Sequence, residues 1–342
     1  MKKKVLAIIM CIVMIIGILP VYAFAEGSLS AWTYKVLNES DKTAEITGYN
    51  GTETELVFPE KIDGYTMVAI ADYAFEGRST NYRNFTSVTL PETYKRIGHC
   101  NFNYYRDLME INLPHTLTFI GMYSFVGSGA YIENDYNCTR NNEYPVFYIG
   151  EYCISCRQTL ANEIVYTIKP GTKLIASGAF YHCQYLRGVI IPEGVEYINE
   201  SAFLSCNFSC LVIPSTVKEI GDYAFIMRYG CFAYIPETVE RISDSICEDN
   251  EFRSTIYGVK GSEAERVVLA RNIKFVEIKD ILRGDVDGDG ILSINDYASM
   301  KSNVLCEIEY KGENEIIGDM NGDCVIDGFD LFRVDMAING MA

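Results

Sequence analysis

The chain has 342 residues, 49% of them apolar, and a formal net charge of −17. That is long enough for two domains and apolar enough to bury a core, which excludes a broadly disordered chain. The acidity excludes nucleic acid and anionic lipid as partners, because both repel it.

Lys2, Lys3 and Lys4 precede an apolar run from Val5 to Leu19, followed by Pro20 and an Ala-Phe-Ala ending at Ala25. A charged start, an apolar middle and an A-x-A ending predict a signal peptide over residues 1–25, cleaved before Glu26. The alternative is an uncleaved anchor, since an apolar segment reaching Ala25 is long enough to span a bilayer. Pro20 and the A-x-A site favour cleavage and a secreted, extracellular product with no membrane contact. Cleavage removes three lysines and no acids, leaving 26 basic against 46 acidic residues, a net charge of −20.

A repeat then follows, marked by proline. Pro59, Pro91, Pro114, Pro170, Pro192, Pro214 and Pro236 each close a short apolar stretch, and the last four are spaced by 22 residues. An isoleucine or leucine comes near six residues on, then a phenylalanine, as in the stretches Ile191 to Phe203 and Ile213 to Phe225. A period in the twenties predicts a solenoid, because one such unit cannot bury its own apolar face while stacked units share a core. Each apolar stretch predicts one short strand per coil, ended by a proline that cannot donate to the ladder, with the strands stacked as a parallel sheet. Phe75, Phe102, Phe125, Phe180, Phe203 and Phe225 are predicted to form a buried ladder on the opposite wall, with Cys247 in the Phe position of the last coil. Glu60, Glu92, Glu193 and Glu237 follow the repeat prolines and read as solvated turn residues.

The register breaks between Pro114 and Pro170, where about 34 extra residues intervene. The polar, Tyr- and Asn-rich part from Gly127 to Pro145, within an insertion near 127–165, predicts a loop on one face and a candidate for specific recognition. Of twelve cysteines, Cys11 lies in the leader, and the odd number remaining leaves at least one thiol unpaired or joined to another molecule. Cys153 and Cys156 have redox or zinc spacing, but no second pair exists and His99, His115 and His182 are scattered. The cysteines therefore read as small buried apolar residues.

The recurring Ile-Pro, Ile-Gly, Ala-Phe, Cys and Leu positions resemble the bacterial cell-surface type of leucine-rich repeat, over roughly Trp32 to Ile278, closing segment included. That resemblance implies a leucine-rich repeat solenoid over 26–281, with a short parallel strand per repeat of about 22 residues. It also implies adhesion or interaction. The asparagine ladder of the commoner eukaryotic repeat is missing.

From Gly284 to Ala342 there are 13 acids and 3 bases, so the tail is a separate acidic unit. Asp285, Asp287, Asp289 and Asp296 occupy positions 1, 3, 5 and 12 of a loop, with Gly290 at 6, Ile291 at 7 and Ser293 at 9. Carboxylates at those positions and a backbone carbonyl at Ile291 suit Ca²⁺, which takes six or more oxygens in a flexible cage. The pattern recurs 34 residues later at Asp319, Asn321, Asp323, Val325, Asp327 and Asp330. A helix is predicted after each loop, the first beginning near Asp296. The second site is expected to be the weaker, because Cys324 replaces the glycine of the sharp turn and a non-glycine residue there costs about 1 kcal/mol.

Both loops end in Asp where an EF-hand has Glu, and the helix before each is missing. In this the segment 282–342 resembles a type I dockerin, a small all-α module with two EF-hand-like calcium loops. The resemblance implies a cohesin partner on a cellulosome-type scaffold. It places the partner face at Ile294 and Asn295 with Lys301 and Ser302 of the following helix, and at Gly328 and Phe329 with Asp335 and Met336. The two copies differ in chemistry, which implies one preferred binding orientation. The expected function is a non-catalytic secreted component whose solenoid presents a surface to an unknown protein or glycan. The alternatives are an accessory or hydrolytic enzyme of polysaccharide degradation, or a regulator of scaffold-bound enzymes. A glycosidase needs two carboxylates fixed across a cleft. No such pair is legible, and no G-x-S-x-G, H-E-x-x-H or P-loop occurs, so no catalytic residue is expected.

Overall fold

Each proline does end a short strand. In the computed structural model, which describes residues 29–77, 84–141, 146–156, 164–184, 186–206, 210–225, 232–246, 255–277, 293–295 and 297–298, Glu55–Val57, Ser87–Thr89 and Glu110–Asn112 form one parallel sheet. Leu56, Val88 and Ile111 are in register. Beyond the insertion, Ile164–Thr167 pairs with Leu186–Ile190, and Cys210–Val212, Phe232–Tyr234, Thr255–Gly258 and Lys274–Glu277 form a second parallel run. The leader, Cys247 and nearly all of the acidic tail lie outside the described residues.

Each coil also makes a second strand where only one is expected. Arg96–Ile97 and Phe119–Ile120 extend one parallel sheet, and Leu174–Ile175, Tyr197–Ile198, Glu219–Ile220 and Arg241–Ile242 build another. In every one of these two-residue strands the second residue points inward and is buried. Two residues are too few to display the period-2 alternation that marks a strand in sequence.

Between the two walls the phenylalanines stack. Phe75 and Phe102 lie 5.1 Å apart, Phe102 and Phe125 5.3 Å, Phe180 and Phe203 5.3 Å, and Phe203 and Phe225 6.0 Å, with planes 13–21° from parallel. The spacing follows the 4.7–4.9 Å rise between strands, so each coil places its ring on the last. Glu92 and Glu193 are exposed as expected, and each also joins coils. Glu92 accepts the His115 N–H at 3.1 Å, and Glu193 accepts from the Ser215 N–H and hydroxyl.

The ends of the core are covered by elements outside the repeat, as a solenoid requires. The antiparallel hairpin Trp32–Asn38 and Thr43–Tyr49 sets Trp32 against Phe58 at 4.7 Å and Phe75 at 6.3 Å. At the other end helix α2, Glu263–Ala270, buries Ala264, Val267 and Val268. Its start is fixed by the Ser262 hydroxyl, which accepts the Glu265 N–H.

The insertion departs most from expectation. Its described part is not a loop but helix α1, Gly129–Asn141, followed by the hairpin Val146–Ile149 and Tyr152–Cys156. The hairpin's residues alternate between two cores. Phe147, Ile149, Tyr152 and Ile154 belong to the core with the first Phe ladder, and Val146, Cys153 and Cys156 to the core with the second. It is therefore a shared wall between two blocks of coils. Its second strand heads the second block by pairing in parallel with Leu174–Ile175.

Candidate binding surfaces

The first block does not continue into the second strand by strand. Its last short strand, Phe119–Ile120, is held by the side chain of Asn199. Ile120 donates its N–H to Asn199 Oδ1 at 2.9 Å, Asn199 Nδ2 donates to the Thr118 carbonyl at 3.0 Å, and the Ser177 N–H donates to the Ile120 carbonyl at 2.9 Å. Leu174, Ala176 and Tyr197, on the outer face of the second block's short-strand sheet, pack against the first core. Farther along that sheet none of the described residues covers it, and a cleft of about 530 Å³ opens. Thr118 and Phe119 form one wall, and Glu263 and Arg266 of α2 form the other. That volume lies within the range of small-ligand sites.

The floor is a column of carboxylates, Glu200, Asp222 and Asp244, one per coil. The outer two have side-chain partners: His99 Nε2 lies 3.4 Å from Glu200, and Arg266 Nη1 lies 3.1 Å from Asp244. Asp222 accepts from the Ser243 hydroxyl and has no cation among the described residues. Arg266 also grips Glu263 at 2.7 Å and holds its carboxyl below the usual range, the opposite of what a proton donor needs. Among the described residues no three His, Cys, Asp or Glu side chains are placed to hold a metal ion. Cys153 is fully buried, and burial pushes its thiol up to about 12, far from the low value of a redox or metal-binding thiol.

A second surface runs along one edge of the coils. Tyr73, Tyr104, Tyr123 and Tyr223 are 41–59% exposed, and all four have left-handed backbones with φ between 54° and 61°. Such a conformation is uncommon outside glycine and asparagine.

The eleven residues expected to hold calcium lie outside the described residues, as do Lys301, Ser302, Gly328, Phe329, Asp335 and Met336. Ile294 and Asn295 are described, and helical residues begin at Ile294, two before the expected Asp296. The Ser293 hydroxyl accepts the Asn295 N–H at 3.1 Å, the hydrogen bond of a helix start, and the Ile294 side chain is 65% exposed.

With this geometry in place, comparison with known families decides the class. The BspA type leucine-rich repeat region matches in six copies over residues 68–165 and 148–264, more than half of the chain. The chain belongs to the BspA-type leucine-rich repeat family. Residues 283–339 match the dockerin type I domain, so this BspA-type protein carries a C-terminal dockerin. Among solved structures it is similar to a leucine rich cell surface protein from Faecalibacterium prausnitzii A2-165, at 19% identity, with 70% of this chain and 76% of that chain covered and a TM-score of 0.31. It is also similar to the T. pallidum leucine-rich repeat protein TpLRR, at 21% identity, with 72% and 96% covered and a TM-score of 0.32. No curated protein matches significantly.

A dockerin attaches its chain to a scaffold through a cohesin and binds calcium, and a BspA-type repeat presents a binding surface. Proteins of both kinds are typically extracellular or at the cell surface. Within this BspA-type solenoid, sequence reasoning misses the cleft and the tyrosine edge. One signal was available for the first: Asn199 stands where the other coils have the small residues Ala71, Gly98, Gly121, Ala176, Gly221 and Ser243. The second carries no periodic mark, since Cys100, Gly178 and Ser201 interrupt the tyrosines.

Proposed function

We propose that the protein is a secreted, non-catalytic binding component, cleaved before Glu26 and tethered through its dockerin to a cohesin of a cellulosome-type scaffold. The repeat unit spans 26–281 and the dockerin 282–342. The observation that carries this reading is the dockerin match at the end of a chain otherwise built of binding repeats. Asp285, Asp287, Asp289 and Asp296, with the Ile291 carbonyl, are the donors for one calcium. Asp319, Asn321, Asp323, Asp327 and Asp330, with the Val325 carbonyl, are those for a second and weaker one. All are hard oxygen donors, which fits Ca²⁺. When bound, the ion neutralises carboxylates that otherwise repel one another. The exposed Ile294 supports a partner face at the start of the first helix, since a lone apolar side chain of that size gains by burial.

The test is a panel of cohesin modules probed with the purified chain, first with calcium and then with a chelator. Binding that disappears on chelation is the expected result. Measurable calcium uptake with no cohesin bound would remove the tether from this reading. Release of reducing sugar from plant polysaccharides would replace it with the hydrolytic alternative.

A further inference from the structure

Three consecutive coils place Tyr73, Cys100 and Tyr123 in one column at the edge of the first block. The Tyr73 N–H donates to the His99 carbonyl and the Cys100 N–H to the Met122 carbonyl, so the column is in register. The small Cys100 between two tyrosines leaves a groove of about 380 Å³, lined by Glu76, Cys100, Asn103, Tyr104 and Tyr123. The ring of Tyr104 lies over Gly127, where a Cβ would stand 2.9 Å from it. Gly127 therefore makes room for that ring on the next coil.

The groove is walled by two exposed phenol rings and carries a carboxylate at its side. We propose that it binds a neutral polysaccharide chain, with pyranose rings stacked on Tyr104 and Tyr123 and sugar hydroxyls donating to Glu76. This rests on the reading of the solenoid as a binding surface and names the ligand class.

Three observations favour a sugar chain over other occupants. First, the rings are exposed at φ 60° and 61°, a conformation that costs free energy and that Gly127 in the column of Tyr104 and Gly178 in the column of Tyr123 adopt with no such cost. The fold does not need a tyrosine there. Second, tyrosine offers a flat apolar face with a polar rim, which matches a pyranose. Third, a stable protein interface buries roughly 800 Å² on each partner around an apolar centre. This groove is lined by five residues, against the roughly 20–30 a side that such an interface takes, and its volume of about 380 Å³ suits about two sugar rings. The net charge of −17 excludes polyanionic chains.

The test is affinity electrophoresis of the full chain in gels containing hydroxyethylcellulose, xyloglucan, galactomannan or polygalacturonate. Retardation by at least one neutral polymer and none by polygalacturonate is expected. Tyr104→Ala combined with Tyr123→Ala should weaken that retardation at least tenfold. Tyr123→Asn, which suits the left-handed backbone, should also weaken it while keeping the wild-type melting temperature. Retention of binding by the double variant would overturn the proposal. So would retardation only by polygalacturonate, or none by any polymer. Calcium-dependent cohesin binding is measured on the same preparations. Its persistence when sugar binding is absent means that the groove assignment fails and the tether stands.

Discussion

Phe102 and Tyr104 are two residues apart and hold nearly the same left-handed backbone, with φ 58° and 60°, yet one is fully buried and the other 41% exposed. The strain is alike in both, about 1–2 kcal/mol. Burial of the Phe102 ring returns about 1.5–3 kcal/mol and offsets it. For Tyr104 the return is smaller, and the fold has no comparable use for the ring. An aromatic column inside the coils holds the solenoid together, while the one outside is carried at a cost.

The sharpest way to break this comparison is Phe102→Ala. The ring touches Phe58, Phe75 and Phe125, so its loss opens a cavity in the middle of the ladder. A loss of about 3–5 kcal/mol in urea denaturation is expected, against about 1 kcal/mol or less for Tyr104→Ala. Equal losses would mean that the outer column is structural.

Asn199→Ala comes next. It orphans the Ile120 N–H at the joint between the blocks, and about 2 kcal/mol should be lost. Hydrogen exchange localises the effect. The Ile120 amide should exchange faster, while the Gly121 amide, bonded to the Ile97 carbonyl at 2.8 Å, should not.

The ladder was legible in the sequence because each phenylalanine recurs with the proline that precedes it. The joint was not. Asn199 stands out from the small residues of its column, but its partner lies 79 residues away, and no local pattern encodes that distance. The hairpin Val146–Cys156 is apolar on both faces because it serves two cores. A stretch that is apolar throughout shows no period, and its polar neighbours made the whole insertion read as a loop. The two-residue strands were missed for want of length. The acidic loops carry the plainest spacing in the sequence, repeated after 34 residues, and their expected ligands lie outside the described residues.

A smaller effect concerns pH. The buried Cys153 thiol titrates near 12 when folded and near 9 when unfolded. The folded state keeps the proton longer, so stability is full below pH 9 and falls as pH rises towards 12. Between pH 9 and 10 the part owed to Cys153 should be about 1 kcal/mol, beside a comparable part from Cys206, whose thiol burial also raises. Cys153→Ala should lessen the loss over that interval by about 1 kcal/mol, and an unchanged slope would assign it to other groups.

The smallest expected change is at Tyr73, 59% exposed with φ 61°. Tyr73→Asn gives up the buried part of the ring, about 1 kcal/mol. It also relieves the left-handed strain, again about 1 kcal/mol, because asparagine accepts that conformation. The two nearly cancel, and the melting temperature should stay within a degree or two. Tyr73→Val loses the ring and adds a β-branched residue where φ is positive, so it should be less stable than the Asn variant by about 1 kcal/mol or more. The order Asn above Val tests the backbone and the near-neutrality of Asn tests the ring. If Asn destabilised as much as Val, the exposed tyrosines would be structural members of the coil, and the difference between the inner and outer columns would be one of degree.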